Sequence, residues 1–218
     1  MKMKKSILNS VWIAVFFLNF SFSQTISVND TDFSKGKLGN IQKIKVNDIA
    51  KLHGHVCDGL LEGFIALDFG LKQVYPDGII DRTNTRIVSK SSPCLTDVAI
   101  YITGGRSQYN TFYVDNSIEG LYIVQRIDTD KTISIKRKPK VKPAIIDELG
   151  NKAIKQELTE CELEELKKLE DKYSKFLKKS KPENLFEVSE LSNFKWEPKT
   201  ETFIKTDIIN KNKTTCKN

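Results

Sequence analysis

Histidine is nearly missing from these 218 residues: there are two, His53 and His55. Any imidazole chemistry is therefore confined to one place in the chain. Cysteine is scarce as well. The four cysteines, at positions 57, 94, 161 and 216, are too widely separated for a small scaffold held together by disulfides. No internal repeat, phosphate loop, nucleophile elbow or dinucleotide fingerprint is found, so the sequence signatures of solenoids, P-loop NTPases, α/β-hydrolases and Rossmann enzymes are absent. Neither sign of charge dominates: 35 basic against 28 acidic residues leave a formal +7. That modest, mixed balance does not argue for a nucleic-acid partner.

What is present is concentrated. The two histidines stand in His53-Gly54-His55-Val56-Cys57, beside one of the four cysteines. Neutral imidazole nitrogen and thiolate sulfur are the donors that a borderline-soft divalent transition metal such as zinc prefers, so the motif is a candidate metal site. The competing reading is a turn with solvated histidines and a Cys57 that is buried or disulfide-bonded. Local geometry separates the ligand sets. On a helix, His53 and Cys57 (i, i+4) share a face that His55 does not; in a loop all three can converge.

The N-terminus reads as a signal peptide over residues 1–23. Lys2, Lys4 and Lys5 precede an apolar run from Ile7 to Phe22, and Ser21-Phe22-Ser23 has the small-x-small pattern of a cleavage site. The run is short for a membrane span, which needs about 20 apolar residues. Cleavage would leave about 195 residues and a charge of about +4, room for one domain with a real core. The expected product is exported and soluble, periplasmic or extracellular. In that compartment the four cysteines could form two disulfides.

Residues 24–47 read as a flexible lead-in, with a short helix from Ile41 to Leu52 delivering the chain to the motif. The strongest helix signal follows. Leu60, Phe64, Leu67, Leu71 and Val74 form one apolar face, with Gly59, Gly63, Ala66 and Gly70 as a second row. Glycine inside a helix costs about 0.5–1 kcal/mol relative to alanine. Such a row predicts a close neighbour, either a sheet or a second copy of the chain. Thr85–Ser89 reads as a strand. Ser92 is the expected N-cap and Pro93 the first residue of a helix ending at Gly104-Gly105. Cys94 then lies in the first turn, where the helix end favours thiolate; otherwise it is a small core residue. Runs at 111–114, 121–127 and 132–136 suggest an antiparallel meander. The lysines and Arg137 between Lys136 and Lys142 read as a solvated strand exit. Residues 151–179 read as one long charged helix with Cys161 on its apolar stripe, in the core. Leu185 to Trp196 suggests a last strand or docking segment, and residues 199–218 a polar tail.

Three motifs in order carry a family resemblance. They are His53-Gly54-His55-Val56-Cys57-Asp58-Gly59 followed by Gly63; Cys94-Leu95-Thr96-Asp97 followed by Thr103-Gly104; and Pro182-Glu183-Asn184-Leu185-Phe186-Glu187-Val188. With them the chain resembles the FmdE-like domain family, named after a component of formylmethanofuran dehydrogenase, from about Asp48 to Pro198. It departs where Asp58 replaces the usual proline and where Gly105-Arg106-Ser107-Gln108 replaces a cysteine- and lysine-containing turn. The cysteine-rich C-terminal zinc module of some members is absent. The resemblance implies an α+β domain over 48–198, with a mixed or antiparallel sheet packed with helices and a long C-terminal helix. It also implies a homodimer and a metal held between the histidine-cysteine motif and Cys94. The expected ligands are His53, His55, Cys57 and Cys94, with Asp58 and Asp97 as further ligands or as partners that orient an imidazole. Three functions stay open: an exported zinc-binding protein acting on a small molecule, a non-catalytic carrier or sensor of a metal or metallocofactor, and a metal-free binding module with Cys57 and Cys94 oxidised.

Overall fold

The computed structural model describes residues 25–32, 36–200 and Cys216. The expected signal peptide and most of the expected polar tail lie outside the described residues. Among the described residues no helix is long and apolar enough to cross a membrane.

The chain begins with β1 (Ile26–Asn29), a small antiparallel pair β2 (Thr31–Asp32) and β3 (Lys37–Leu38), and β4 (Gln42–Ile44). Helices α1 (Val46–His53) and α2 (Asp58–Val74) follow, then β5 (Ile79–Asp81), β6 (Thr85–Ser89) and α3 (Pro93–Thr103). Strands β7 (Phe112–Val114), β8 (Tyr122–Arg126) and β9 (Thr132–Arg137) lead into α4 (Ala144–Ile154), α5 (Glu160–Lys179), the one-turn α6 (Pro182–Leu185) and β10 (Phe186–Glu190). Two sheets organise them. One has the order β4-β1-β5 and the other β10-β9-β8-β6-β7. The fold is α+β with mixed sheets, and the long helix near the C-terminus is α5.

Helix α2 is the centre of the core. Leu60, Phe64, Leu67 and Leu71 are at most 1 % exposed. Its glycine row faces α3 and the larger sheet. A Cβ on Gly63 would lie 2.5 Å from the Tyr122 hydroxyl on β8, and one on Gly70 would overlap the Ile135 side chain on β9. Period-two alternation in the strands divides their side chains. Tyr122, Val124, Ile133 and Ile135 join the main core, whereas Val88, Tyr113 and Ile123 form a second cluster on the other face, covered by Leu191, Phe194 and Trp196.

Several expectations change. The lead-in is not wholly irregular: Ile26 and Val28 are buried on β1, which pairs antiparallel with β4 and parallel with β5. A four-residue strand with two apolar positions in a polar segment gives too short a period to stand out. Residues 42–44 are strand, and the first helix starts only at Val46, where the Asp48 carboxylate accepts the Lys45 N–H at 2.9 Å. The meander is broken because β6 lies between β7 and β8, antiparallel to β8 and parallel to β7. Helix α3 is the crossover between β6 and β7, and a parallel pair requires such a connection. The expected helix over 151–179 is two helices, α4 and α5. Gln156 takes φ 60° between them, and Thr159 opens α5 with a capping box to Glu162. Cys161 is not core. It is exposed and disulfide-bonded to Cys216. Pro182 is the first residue of α6.

Candidate metal centre

Three chain segments deliver four donor groups to one place. His53 is the last residue of α1, and Gly54 closes that helix at φ 109° with its N–H donating to Ala50 O. The positive φ is a glycine conformation, and it turns the chain out of the helix. After this short loop Cys57 is the N-cap of α2, its Sγ accepting the Leu60 N–H at 3.3 Å. Helix α3 begins as expected, with Ser92 as N-cap and Pro93 in the first turn, so Cys94 sits one residue inside its N-terminus.

The sulfurs of Cys57 and Cys94 are 3.2 Å apart, and His53 Nε2 lies 3.8 Å from the first and 3.7 Å from the second. The motif is therefore loop rather than helix between His53 and Cys57, and His55 converges too: His53, His55 and Cys57 offer donor atoms within 4.8 Å of one another. His53 is buried and His55 exposed, with their rings 5.0 Å apart. Asp97, on the same helix as Cys94, contacts His53 Nδ1 at 2.8 Å. With the proton on Nδ1 donated to that carboxylate, the lone pair of Nε2 points at the two sulfurs, the arrangement that orients a metal-ligating histidine.

The donor set fits a tetrahedral zinc ion. Bonds of about 2.3 Å to sulfur and 2.0 Å to nitrogen require ligand atoms roughly 3.5–3.8 Å apart. The two sulfur–nitrogen distances already meet this, and the sulfurs need to spread by only about half an ångström. Gly59 keeps the site open. A Cβ there would lie 3.0 Å from Cys94 Sγ and 4.0 Å from Cys57 Sγ.

The two thiols titrate as a pair. The hydrogen bond with Cys94 lowers the Cys57 pKa to about 6 against the opposing effect of burial, with help from the Leu60 N–H. That same hydrogen bond, then burial, pushes Cys94 far above an ordinary thiol. The contact between the sulfurs thus favours one proton shared by the pair, which a bound cation would displace.

The centre opens into a cavity of about 610 Å³, whose other walls come from α4 and α5. Asp58, Lys142, Asp147 and Glu170 supply its charge, and Ile146, Leu163 and Leu166 part of its apolar surface. Lys142 Nζ is 2.8 Å from Asp147 and 3.9 Å from Asp58. Burial opposes the Lys142 charge, but Asp147 and Asp58 outweigh it and hold its pKa above the usual lysine range. Burial raises Asp58, and burial together with the nearby Asp58 and Cys57 charges raises Glu170 to about 7. The basic stretch before Lys142 is therefore not simply a solvated strand exit. Arg137 also turns inward, donating to the buried Glu62 at 3.0 and 3.1 Å, and Glu62 accepts from Tyr173 as well. A larger cavity of about 770 Å³ is lined by residues such as Arg82, Tyr101, Arg106 and Phe112 and by none of the sulfur or imidazole donors.

The family model described as FmdE, Molybdenum formylmethanofuran dehydrogenase operon, matches residues 52–187, more than half of the chain. The chain belongs to the FmdE family. No curated protein matches it. The FmdE match begins one residue before His53 and takes in Cys57, Cys94, Asp97, Lys142 and Glu170. It ends inside β10, so β1 and the strap from Leu191 to Trp196 lie beyond the matched FmdE region. Sequence reasoning singled out His53, His55, Cys57, Cys94, Asp58 and Asp97, all of which meet at this centre or its cavity. It missed Lys142, Asp147 and Glu170. Glu170 had a signal: it falls four residues after Leu166 and three before Tyr173, a charge on the buried stripe of α5.

Proposed function

We propose that this FmdE-family protein holds a zinc ion through His53, Cys57 and Cys94 and presents it to a small molecule in the adjoining cavity. The observation that carries the reading is the approach of two sulfurs and one carboxylate-oriented imidazole nitrogen to within 3.8 Å of one another. Three protein ligands leave a tetrahedral ion one position for water or substrate, where it can polarise an oxygen or lower the pKa of bound water. The chain's own groups complete the environment: Asp97 fixes the imidazole, Asp58 and Lys142 set the local charge, and Glu170 is a carboxyl able to hold or accept a proton near neutrality. His55 decides between an enzyme and a carrier. As a fourth ligand it would close the centre and favour a non-catalytic carrier or sensor of the metal.

Export is part of the proposal. It is supported by the basic and apolar N-terminal segment and by the Cys161–Cys216 disulfide, which fits an oxidising compartment. Homodimer assembly is carried over from the family resemblance alone, because the glycine row that could have served a contact between copies serves α3 and the sheet. N-terminal sequencing and sedimentation of the native protein test these two points.

The metal itself is tested by elemental analysis of the purified chain and four variants. Cys57→Ser and Cys94→Ser are each expected to lose zinc, whereas Cys161→Ser and Cys216→Ser keep it. Full occupancy in Cys94→Ser would sink the shared site.

A further inference from the structure

We infer that Cys57 and Cys94 form a second, redox form of the same centre: a reversible disulfide that forms by exchange with a small-molecule disulfide and excludes the metal. The inference rests on the zinc reading for its competing ligand. Its own evidence is geometric and concerns the sulfurs.

Cys57 and Cys94 are the free thiols of the chain, since Cys161 and Cys216 are already bonded to each other. Their sulfurs are 3.2 Å apart. A disulfide needs about 2.05 Å, so the pair must close by only a little over one ångström. Neither cysteine sits in the middle of a helix. Cys57 is an N-cap at the end of a loop, and Cys94 lies in the first turn of α3. Gly59 leaves the space beside Cys94 Sγ unfilled. Both cysteines are only partly buried and line the cavity of about 610 Å³.

The exchange takes two steps. The Cys57 sulfur attacks one sulfur of the small disulfide, forming a mixed disulfide and releasing one small thiolate. The Cys94 sulfur then attacks Cys57 Sγ, forming the intrachain bond and releasing the second small thiolate. Two electrons pass from the cysteine sulfurs to the small disulfide, which leaves as two thiols carrying the two protons. A zinc ion bound to both sulfurs ties up the attacking electron pairs. Conversely, the closed disulfide has no thiolate with which to bind the ion. Metal loading and oxidation therefore exclude each other, and the metal protects the pair in an oxidising compartment.

The test uses the full chain in zinc-loaded and chelator-treated forms, each incubated with oxidised glutathione. Free thiols are alkylated, the disulfides mapped on peptides, and zinc measured by elemental analysis. The chelated chain is expected to lose both alkylatable thiols to a Cys57–Cys94 disulfide, while the zinc-loaded chain keeps them. Cys94→Ser, lacking the second sulfur, is expected to stop at a lasting mixed disulfide on Cys57. Persistent free thiols in the chelated chain, or glutathione left on one cysteine of it, would overturn the redox pair and leave the zinc reading standing. Failure of the reduced chain to take up zinc would sink the zinc reading, and with it the competition claimed here. Equal oxidation of the two forms despite full zinc content would show that the ion binds elsewhere, and would overturn the proposal on that ground.

Discussion

The chain holds two cysteine pairs that the fold treats in opposite ways. Cys161 is exposed and Cys216 half-buried, and the two are closed as a disulfide across 55 residues. Cys57 and Cys94 lie at two helix N-termini with His53 beside them and remain thiols 3.2 Å apart. Proximity of sulfurs does not set the difference, because both pairs are close. It lies in what else is present. The first pair has the Glu164 carboxylate near it, accepting the Cys216 N–H at 2.8 Å. The second has an imidazole, a carboxylate behind the imidazole and an open cavity. One pair ties two distant segments together, the other is equipped to bind a cation.

The largest expected difference between the pairs in stability follows from that division. Cys161→Ser should cost about 2–4 kcal/mol in unfolding free energy, the typical range for loss of a disulfide. It should leave zinc content unchanged. Denaturant unfolding with parallel metal analysis checks both halves. A Cys161→Ser chain that unfolds normally but loses zinc would break the comparison, because the surface pair would then be supporting the centre.

A smaller effect is expected from Asp97→Asn. The amide keeps the side chain's shape but removes the carboxylate that holds the His53 Nδ1 proton at 2.8 Å. Outer partners of this kind change metal affinity by roughly 10–100-fold. Competition against a chromogenic chelator reads the change directly. An unaltered affinity would mean that the His53–Asp97 contact serves only to dock α1 on α3, and that the centre owes its order to the sulfurs alone.

Gly59→Ala sharpens the same point from the packing side. The added methyl would meet Cys94 Sγ at 3.0 Å and Cβ at 3.1 Å, closer than ordinary van der Waals contact. Crowding of this sort costs about 1–3 kcal/mol when the neighbour cannot move. Cys94 can give way only by shifting its sulfur from its present place 3.7 Å from His53 Nε2, a distance that already suits a shared ion. The strain should therefore appear as weaker zinc binding, by about tenfold, corresponding to roughly 1.4 kcal/mol, rather than as lost fold stability. Full affinity with lowered stability would place the crowding in the core instead of the centre.

Much of this centre could be read from the residues. The scarcity of histidine put the site at one point in the chain. Ser92-Pro93 fixed the start of α3, and with it the position of Cys94 in a first turn. The glycine row on α2 required a close neighbour. What stayed hidden depends on long-range pairing. Lys142, in the loop before α4, and Glu170, on α5, are 28 residues apart; nothing local distinguishes Lys142 from its neighbouring lysines, and the place of Glu170 on the apolar stripe does not say what it faces. Their role appears only when α5 packs against α2 and closes one side of the cavity. The parallel β6–β7 pair was hidden for a related reason. Short strands with turn residues between them look alike whether they pair with a neighbour in sequence or across a helix. The surface disulfide was masked by periodicity: Cys161 lies on a plausible apolar stripe, and its partner stands in a polar segment with no local pattern.

The smallest expected effect concerns the wall of the cavity that sequence reasoning passed over. Burial, with Asp58 and Cys57 nearby, holds the Glu170 carboxyl at about 7, above the ordinary 4.5 of a glutamic acid. A group whose pKa is raised on folding favours the folded state when protonated. Its contribution is fully present below the unfolded value and is lost as pH rises through the folded one. Ionised Glu170 should therefore destabilise the metal-free chain most above about pH 7, and scarcely at all below about pH 4.5. Glu170→Gln, which cannot ionise, should melt higher than the unmodified chain at pH 8, with the gap narrowing steadily as pH falls from 7 to 4.5. Because Glu170 is only partly buried, solvent screening limits the gap to a few degrees. Zinc should shrink it further. Two thiolates neutralised by a divalent cation repel the carboxylate less, so the loaded chain should show a smaller difference between glutamate and glutamine than the chelated one. Thermal unfolding of both proteins, with and without chelator, across that pH range provides the measurement. A gap that is independent of pH would show that the Glu170 carboxyl titrates normally. In that case the cavity would carry no proton-holding group beside the metal, and the two cysteine pairs would differ only in what binds the sulfurs.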